Sequence, residues 1–413
     1  MLFGGYPNDL PTVSTEYNTI IGGYIWYVIE LHHQKVIGTK GTLKKLRFKL
    51  NGSPGAGQKY TFTLMLNGYP TTLTLEIADD ATSGSNLVNE IEVVGGDTVS
   101  LRCDPDGTPT ARYATWTCIF ESDKPNESLI MGGSYDQANP AAIEYGQVMG
   151  AYTEYNTIES NFRQVIPTSG TIKKLYVRLT SDPGSAPDAY RFTLRTGPAG
   201  GPQADTGLTV TIVANDKYGF DLVHTVPVDP GDVVTMKIEP LNTPSGVPRC
   251  RWGMTFLADI DGESIVLGGT HNNLPLTATE HNLLTCREAN TWTATESNRY
   301  QLGQACTLKK LYFLLTGSPG SGNKYDFTLR VGGVGGTVVT TIADLAYTGN
   351  SGALEDTVAD GEYVNLRVVP TSSPTIRDSY WGFVCYIVPL VVIRRFQEEG
   401  TDFRETKFGA TWG

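Results

Sequence analysis

A glycine-rich stretch that occurs twice in nearly the same form comes close to a phosphate-binding loop. Residues 52–59 read GSPGAGQK, and residues 317–324 read GSPGSGNK. A P-loop needs Lys directly after the last glycine, then Ser or Thr, and then a helix whose N-terminus holds the phosphate. Here one residue separates the glycine from Lys, Tyr follows the Lys, and the alternating residues beyond it predict a strand. We therefore interpret the stretch as a hairpin connection rather than a nucleotide site.

Histidines and loop carboxylates give only weak metal-binding patterns. His32 and His33 are adjacent in a predicted strand, where they would point to opposite faces and could not share a metal. Asp79 and Asp80 lie in a loop, with Asn215 and Asp216 in the matching place of module 2 and Asp344 near it in module 3. Loop carboxylates in β-proteins can bind calcium, but no loop here has the ligand set of an EF-hand. We predict no metal and no cofactor.

The sequence suggests no reaction class, so we predict that the protein is not an enzyme. It has no Gly-x-Ser-x-Gly elbow, no Rossmann fingerprint and no Cys with a plausible His partner. Glu16, Glu144 and Glu280 recur once per repeat, whereas glycoside hydrolysis needs one pair of separated acids. The 6 cysteines do not recur with the repeat, which favours free buried thiols; a Cys103–Cys118 disulfide is the alternative.

A recurring Arg and Trp pair is the best candidate for a ligand contact. Each copy ends a Pro-rich loop, and the residues are Arg112, Arg249 and Arg377 with Trp116, Trp252 and Trp381. Trp faces can stack on sugar rings, which would make a platform for a host-surface glycan. The alternating apolar residues of 114–120 favour instead a Trp packed in the core of the sandwich, with the Arg at the loop mouth in a salt bridge or in contact with a neighbouring module.

These residues belong to three copies of one module. An opening Gly-Gly, a Lys-Lys pair flanked by Leu or Ile, the glycine-rich turn, a Gly-Asp or Gly-Glu pair and the Arg–Trp loop recur in the same order. We place the modules at 1–126, 127–262 and 263–390, followed by a tail at 391–413. Each is long enough to bury its own core. The three could pack around a pseudo-threefold axis or lie end to end, and the sequence favours neither.

Residues that alternate with period 2 dominate each module and predict short antiparallel strands. In module 1 we predict strands near Tyr24–Leu31, Leu43–Leu50, Tyr60–Leu66, Thr72–Ile77, Asn89–Val93, Val99–Cys103 and Ala114–Phe120, with short ones near 2–3 and 17–21. About eight strands without a crossover helix predict an all-β fold of three tandem antiparallel β-sandwich (jelly-roll) domains. An immunoglobulin-like sandwich is the alternative, but its Cys…Trp…Cys signature is missing. Within each Lys-Lys pair, we expect one Lys to face solvent and the other to lie at a sheet edge.

The tail and the charge of the chain bear on its partners. The tail carries Phe396, Phe403, Phe408 and Trp412, which are costly to leave in water, so we predict an arm that docks on its own modules or on a neighbouring subunit. The net charge is −11, which disfavours nucleic-acid binding. The apolar run 380–393 is too short to cross a bilayer, so we expect no membrane association. The first residues recur inside the chain, at 129–133 and 265–269, so we expect no secretion leader.

Together, residues 308–311 (LKKL), 317–322 (GSPGSG) and 325–329 (YDFTL) resemble a module of phage-associated and bacterial surface proteins. That resemblance covers the three repeats but not the tail, and it implies jelly-roll virion or fibre components, loosely similar to the C1q and tumour-necrosis-factor heads. We therefore expect a structural protein of a tailed phage: a capsid-decorating, spike or tail-fibre subunit. It would be made in the host cytoplasm and would assemble with itself and other virion proteins. The alternatives are a carbohydrate-binding surface adhesin and a subunit of an extracellular filament.

Overall fold

The computed structural model describes residues 1–6, 8–151, 154–285 and 290–387. Within these ranges the chain is all β apart from three single turns of 3₁₀ helix, Glu30–His32, Glu159–Phe162 and Glu296–Arg299. The predicted all-β class is confirmed. The predicted arm at 391–413, with Phe396, Phe403, Phe408 and Trp412, lies outside the described residues.

The strands fall into three successive sets that share one plan. Module 1 contains β1 (Leu2–Tyr6), β2 (Glu16–Asn18), β3 (Lys35–Val36), β4 (Gly41–Leu50), β5 (Gly55–Leu66), β6 (Tyr69–Asp79), β7 (Ser83–Val93), β8 (Thr98–Asp106) and β9 (Ala114–Ser122). Module 2 contains β10 (Glu127–Gln137), β11 (Glu144–Gly146), β12 (Gln164–Val165), β13 (Gly170–Leu179), β14 (Ala189–Pro198), β15 (Ala204–Val213), β16 (Tyr218–Val228), β17 (Asp232–Leu241) and β18 (Arg249–Ala258). Module 3 contains β19 (Glu263–Thr270), β20 (Glu280–Asn282), β21 (Gln301–Leu302), β22 (Cys306–Leu315), β23 (Gly320–Val331), β24 (Val334–Asp344), β25 (Thr348–Asn350), β26 (Glu355–Val358), β27 (Tyr363–Thr371) and β28 (Ser379–Tyr386).

Each module is a sandwich of two antiparallel sheets with jelly-roll connectivity. In module 1 one sheet has the order β1-β9-β4-β7 and the other β2-β8-β5-β6, with the short β3 pairing with β8. If the eight main strands are numbered along the chain, the orders are 1-8-3-6 and 2-7-4-5, and modules 2 and 3 repeat them. Two Greek keys that interleave in this way define the jelly roll. The predicted tandem jelly-roll sandwiches are confirmed.

The strand predicted at Tyr24–Leu31 is wrong. This segment is irregular, runs into the first 3₁₀ turn and touches the sheet through an isolated bridge between Tyr17 and Tyr27. Its residues favour strands, but Val28, Ile29 and Leu31 are exposed, so an alternating buried face never forms. Tertiary packing overrides local preference here because the segment follows the edge of the sandwich.

The same core positions fill each module. In module 1 the Phe48 and Phe62 rings stack with centroids 3.9 Å apart, and Trp116 lies 5.5 Å from Phe48. In module 3 Phe313 and Phe327 reproduce that stack at 3.8 Å. The strand that follows each glycine-rich turn thus supplies the centre of a sandwich core, which explains why its alternating aromatic residues recur.

Candidate functional site

The three modules contact one another in a closed cycle. The short strand of each module contacts the last strand of another module. The contacts are β3 with β18, β12 with β28, and β21 with β9. Hydrogen bonds also join each pair of modules: Thr255 Oγ1 donates to Gly38 O at 3.0 Å, Gln147 Nε2 to Gly269 O at 3.2 Å, and Thr117 Oγ1 to Leu302 O at 2.6 Å. We call the contacts interface 1–2, interface 2–3 and interface 3–1. Of the two arrangements left open by the sequence, the contacts form the pseudo-threefold ring.

The recurring Gly-Asp pairs lie at these interfaces. In interface 1–2, a Cβ at Gly95 would lie 2.5 Å from the Tyr176 hydroxyl oxygen, and Arg178 Nε donates to Gly96 O at 3.0 Å. Tyr312 takes the place of Tyr176 against Gly231 in interface 2–3. A turn without side-chain bulk therefore lets the next module's aromatic ring lie on the backbone, which gives this landmark a role between modules.

A buried glutamate anchors interface 1–2. The Glu127 side chain is 1% exposed, and its Oε1 lies 3.0 Å from Lys173 Nζ and 3.1 Å from Lys174 Nζ. Thr39 of module 1 donates to Glu127 Oε2 at 2.6 Å. Burial raises the pKa of the Glu127 carboxyl, but the bonds from Thr39 and both lysines outweigh it, so the net pKa is lowered. A module 1 hydroxyl thus completes a charged cluster of module 2.

Interface 2–3 contains a second copy of this cluster. The Glu263 side chain is fully buried, its Oε1 lies 3.1 Å from Lys309 Nζ and 2.7 Å from Lys310 Nζ, and Thr168 donates to its Oε2 at 2.6 Å. Burial raises the pKa of the Glu263 carboxyl, but the bonds from Lys310, Thr168 and Lys309 outweigh burial, so the net pKa is lowered. These glutamates escaped the sequence analysis, although each precedes the Gly-Gly pair of its module by five residues.

The prediction for the Lys-Lys pairs is wrong in modules 2 and 3, whereas in module 1 Lys45 is exposed, as predicted for one lysine of the pair. Both lysines of modules 2 and 3 approach one carboxylate because a bulge interrupts the strand between them. The register shifts after Lys173 and after Lys309, and the second lysine of each pair has positive φ, 57° at Lys174 and 53° at Lys310. A bulge sets two residues against one partner, which turns the second side chain to the same side as the first.

Interface 3–1 is built differently. Arg47 occupies the position of Tyr176 and Tyr312, and its Nη2 lies 2.7 Å from Asp360 Oδ2 beside the Gly361 turn. Lys44 of module 1 instead pairs with Glu121 of its own module. Gln301 Nε2 donates to Gly4 O at 3.0 Å, which adds a side-chain bond to the backbone of module 1. An ion pair and backbone-directed bonds therefore replace the buried glutamate.

The three tryptophans lie inside the sandwiches. Trp116, Trp252 and Trp381 are at most 1% exposed. Their indole Nε1 atoms donate to backbone oxygens of Ile20 at 3.0 Å, Val148 at 3.1 Å and Leu284 at 2.8 Å. Burial leaves no ring face for a sugar, so the structure favours core packing over ligand contact at these positions.

Two of the three arginines brace the glycine-rich turn. Arg112 Nε donates to Ser53 O at 2.7 Å, and Arg377 Nε donates to Ser318 O at 2.9 Å. Arg249 does not match them, because it lies one residue closer to its Trp. Its guanidinium lies 4.7 Å from the centroid of the Tyr135 ring instead.

The remaining candidate residues have structural partners. Asp79 Oδ1 accepts from Gly57 N at 2.7 Å, and Asp344 Oδ1 accepts from Gly322 N at 2.8 Å, so both carboxylates close the glycine-rich turn. His32 and His33 both contact the Tyr135 ring, at 5.3 and 6.1 Å between centroids, so the prediction that they face opposite ways is wrong. The described part of the chain contains no cluster of three or more His, Cys, Asp or Glu able to hold a metal.

The described cysteines are buried free thiols: Cys103, Cys118, Cys250, Cys306 and Cys385. Burial raises the pKa of the Cys118 thiol to about 12, which keeps it protonated and unreactive. The Cys103–Cys118 disulfide considered as an alternative is not formed.

Comparison with protein-family models and with curated proteins found no match. Among the residues described, no helix has the length and apolar character needed to span a membrane.

Proposed function

We propose that this chain is a non-enzymatic structural protein of a tailed-phage particle, a capsid-decorating, spike or tail-fibre subunit that acts through assembly. The observation that carries the proposal is the closed ring of three jelly rolls. Its repeated landmarks, the Lys-Lys pairs and the Gly-Asp turns, lie where modules contact one another. A single chain thus has the arrangement that three identical subunits adopt in a homotrimer, and its conspicuous sequence features support packing.

The outer surface offers a second argument for assembly. Leu87 and Val88 on β7 match Leu222 and Val223 on β16, and all four are exposed, with Val88 at 86% and Val223 at 82%. Apolar pairs exposed at the same place in two modules are typical of surfaces covered by a partner. We propose that other virion proteins cover them.

The burial of the three tryptophans argues against the adhesin alternative. Its sugar platform required accessible tryptophans, and all three are buried. The phage proposal needs no such platform, because its partners bind surfaces rather than a pocket.

Particle composition tests the proposal. Phage particles purified by density gradient from a host that produces this chain should contain it in a fixed ratio to the major capsid or tail protein, as measured by mass spectrometry. Recovery of the chain in the cell envelope or in extracellular filaments, with none in particles, would exclude the proposal and favour the alternatives.

Two sets of variants separate assembly from folding. A chain lacking residues 391–413, and the double variant Val88→Lys/Val223→Lys, should each keep the unfolding midpoint of the parent and fail to enter particles. Val13→Lys is the matched control, since Val13 is 81% exposed and lies outside the paired surface. Normal incorporation of the truncated chain would remove the arm from the proposal, and normal incorporation of the double variant would remove the β7 and β16 surface.

A further inference from the structure

Interface 1–2 encloses a small cavity whose walls carry positive charge. It is lined by Thr19, His33, Lys35 and Gln34 of module 1 and by Ser134 and Arg251 of module 2, among others. None of the described residues that line it is Asp or Glu. Its volume is about 10 Å³, which is enough for one water-sized species and too small for a sugar or a phosphate.

Two buried side chains leave donors unpaired at this cavity. Arg251 is 3% exposed; its Nη1 donates to Gln34 Oε1 at 3.4 Å, while none of the described residues accepts from its Nη2. His33 is 1% exposed, and neither ring nitrogen has a hydrogen-bond partner within the described ranges. Buried polar groups are nearly always satisfied, and a buried charge needs a counter-charge. Among the described residues, the cavity therefore has unused donors and no carboxylate in its lining to balance the Arg251 cation.

The charge is specific to this interface. Lys35, which is 2% exposed and donates to Gly133 O at 2.8 Å, occupies the first position of β3. The matching residues of β12 and β21 are Gln164 and Gln301, whose neutral amides bond to the backbone. A cation has thus replaced an amide at the interface where Arg251 also faces the cavity.

Arg251 does not lose its proton near neutral pH, so its charge remains. Burial lowers the pKa of Arg251 to about 10, which still leaves the guanidinium protonated. Burial, followed by the charges of His32 and Lys35, lowers the pKa of His33 to about 3, so its ring is neutral and retains one N–H donor. The site therefore combines a buried cation with a neutral donor.

We propose that this cavity binds a monatomic anion, a halide such as chloride, between modules 1 and 2. Arg251 Nη2 and an N–H of His33 donate to the ion, and the Lys35 ammonium supplies further positive potential. The bound ion and the Glu127 cluster then both stabilise interface 1–2.

Diffraction and thermal unfolding test the site on the full chain. Crystals grown in sodium bromide should show an anomalous bromide peak within hydrogen-bond distance of Arg251 Nη2. At constant ionic strength, replacing gluconate by chloride should raise the unfolding midpoint by about 3 °C. A site occupied by water alone, or by bromide without any change in midpoint between chloride and gluconate, would overturn the proposal.

Matched variants assign the effect to the cavity. Lys35→Gln installs the residue that β12 and β21 carry, and it should abolish the chloride dependence. Lys49→Gln removes a lysine of the same module whose Nζ donates to Thr82 Oγ1 at 2.9 Å, and it should keep the dependence. A chloride dependence that survives Lys35→Gln would contradict the role of Lys35; if that variant does not fold, the bromide map of the parent protein decides the question.

Discussion

Interfaces 1–2 and 2–3 share a design that interface 3–1 lacks. The first two each enclose a carboxylate, Glu127 or Glu263. Each carboxylate contacts two lysines of its own module and one threonine of the preceding module. In interface 3–1, Arg47 contacts Asp360, whose side chain is 50% exposed. The buried clusters lie between modules that follow one another directly in the chain. The contact that closes the ring instead pairs the buried Arg47 with an aspartate that is half exposed.

The three interfaces also differ in how closely the backbones of the two modules approach each other. Gly253 and Gly382 lie against the carbonyl oxygens of Val36 and Val165, so close that a Cβ at either glycine would overlap the oxygen. Thr117 occupies the matching place in interface 3–1 and donates to Leu302 O. Two interfaces thus combine a close backbone contact at a glycine with a buried charged cluster, whereas the third has a threonine hydroxyl at the matching place and the Arg47–Asp360 ion pair. We expect the third to open first.

The largest effect should come from removing a buried carboxylate. Glu263→Ala leaves Lys309 and Lys310 without their counter-charge and should lower the free energy of unfolding by about 3 kcal/mol. Urea unfolding followed by tryptophan fluorescence measures the change. Glu355→Ala is the control, because this exposed residue lies 3.9 Å from Lys309 and should cost less than about 0.5 kcal/mol. Equal losses in the two variants would refute the special role of the buried cluster.

Acid should weaken the same two interfaces, by less than the full substitution does, because a protonated glutamate can still bond to its threonine. The folded pKa of Glu127 and Glu263 is lowered, so their contribution is present above the unfolded value of about 4.3 and is lost as pH falls through the folded pKa. The double variant Glu127→Gln/Glu263→Gln should show a flatter decline of the unfolding midpoint below pH 4.3 than the parent. An unchanged acid profile would contradict the assignment.

A steric test addresses the close approach of backbones. Gly253→Ala places a methyl group against Val36 O and should cost about 2 kcal/mol. Gly335→Ala is the control, since a Cβ there meets nothing within 4 Å. The thermal unfolding midpoints of the two variants measure the difference in stability. If Gly253→Ala is as stable as its control, the backbones at interface 1–2 can move apart without loss of stability.

Features that depend on local pattern were predictable from the sequence. The alternating Tyr, Phe and Leu after each glycine-rich turn predicted the core strand, and eight short strands per module predicted the jelly roll. Tyr60, Phe62 and Leu64 are fully buried, as that alternation requires. Such patterns are read within a few residues, and their physical cause, one buried face of a strand, is equally local.

Features that depend on distant partners were not predictable. In the sequence, Lys173 and Lys174 are typical of two surface charges. Their partners Glu127 and Thr39 are distant in the chain, and Thr39 belongs to another module. The bulge that turns Lys174 inward leaves no mark in the residue types. Arg249 shows the same limit: it begins β18, whereas Arg112 and Arg377 lie in the loops before β9 and β28, and it contacts the Tyr135 ring instead of the glycine-rich turn.

A smaller effect should follow from the ion pair that closes the ring. Arg47→Ala should destabilise the protein by about 1 kcal/mol and should raise amide hydrogen exchange at 301–304 more than elsewhere, because the interface opens locally. A double-mutant cycle with Asp360→Ala measures the coupling. Uniform exchange across the three interfaces would contradict the expectation that interface 3–1 opens first.

The smallest effect concerns a single hydroxyl. Thr117→Val keeps the shape of the side chain and removes the bond from Oγ1 to Leu302 O, so it should cost about 1 kcal/mol or slightly less. Thr108→Val is the control at an exposed position of the same module. If Thr117→Val raises hydrogen exchange at 301–304 as Arg47→Ala does, the two contacts close the ring together. An unchanged exchange rate would leave the Arg47–Asp360 pair as the contact on which closure depends.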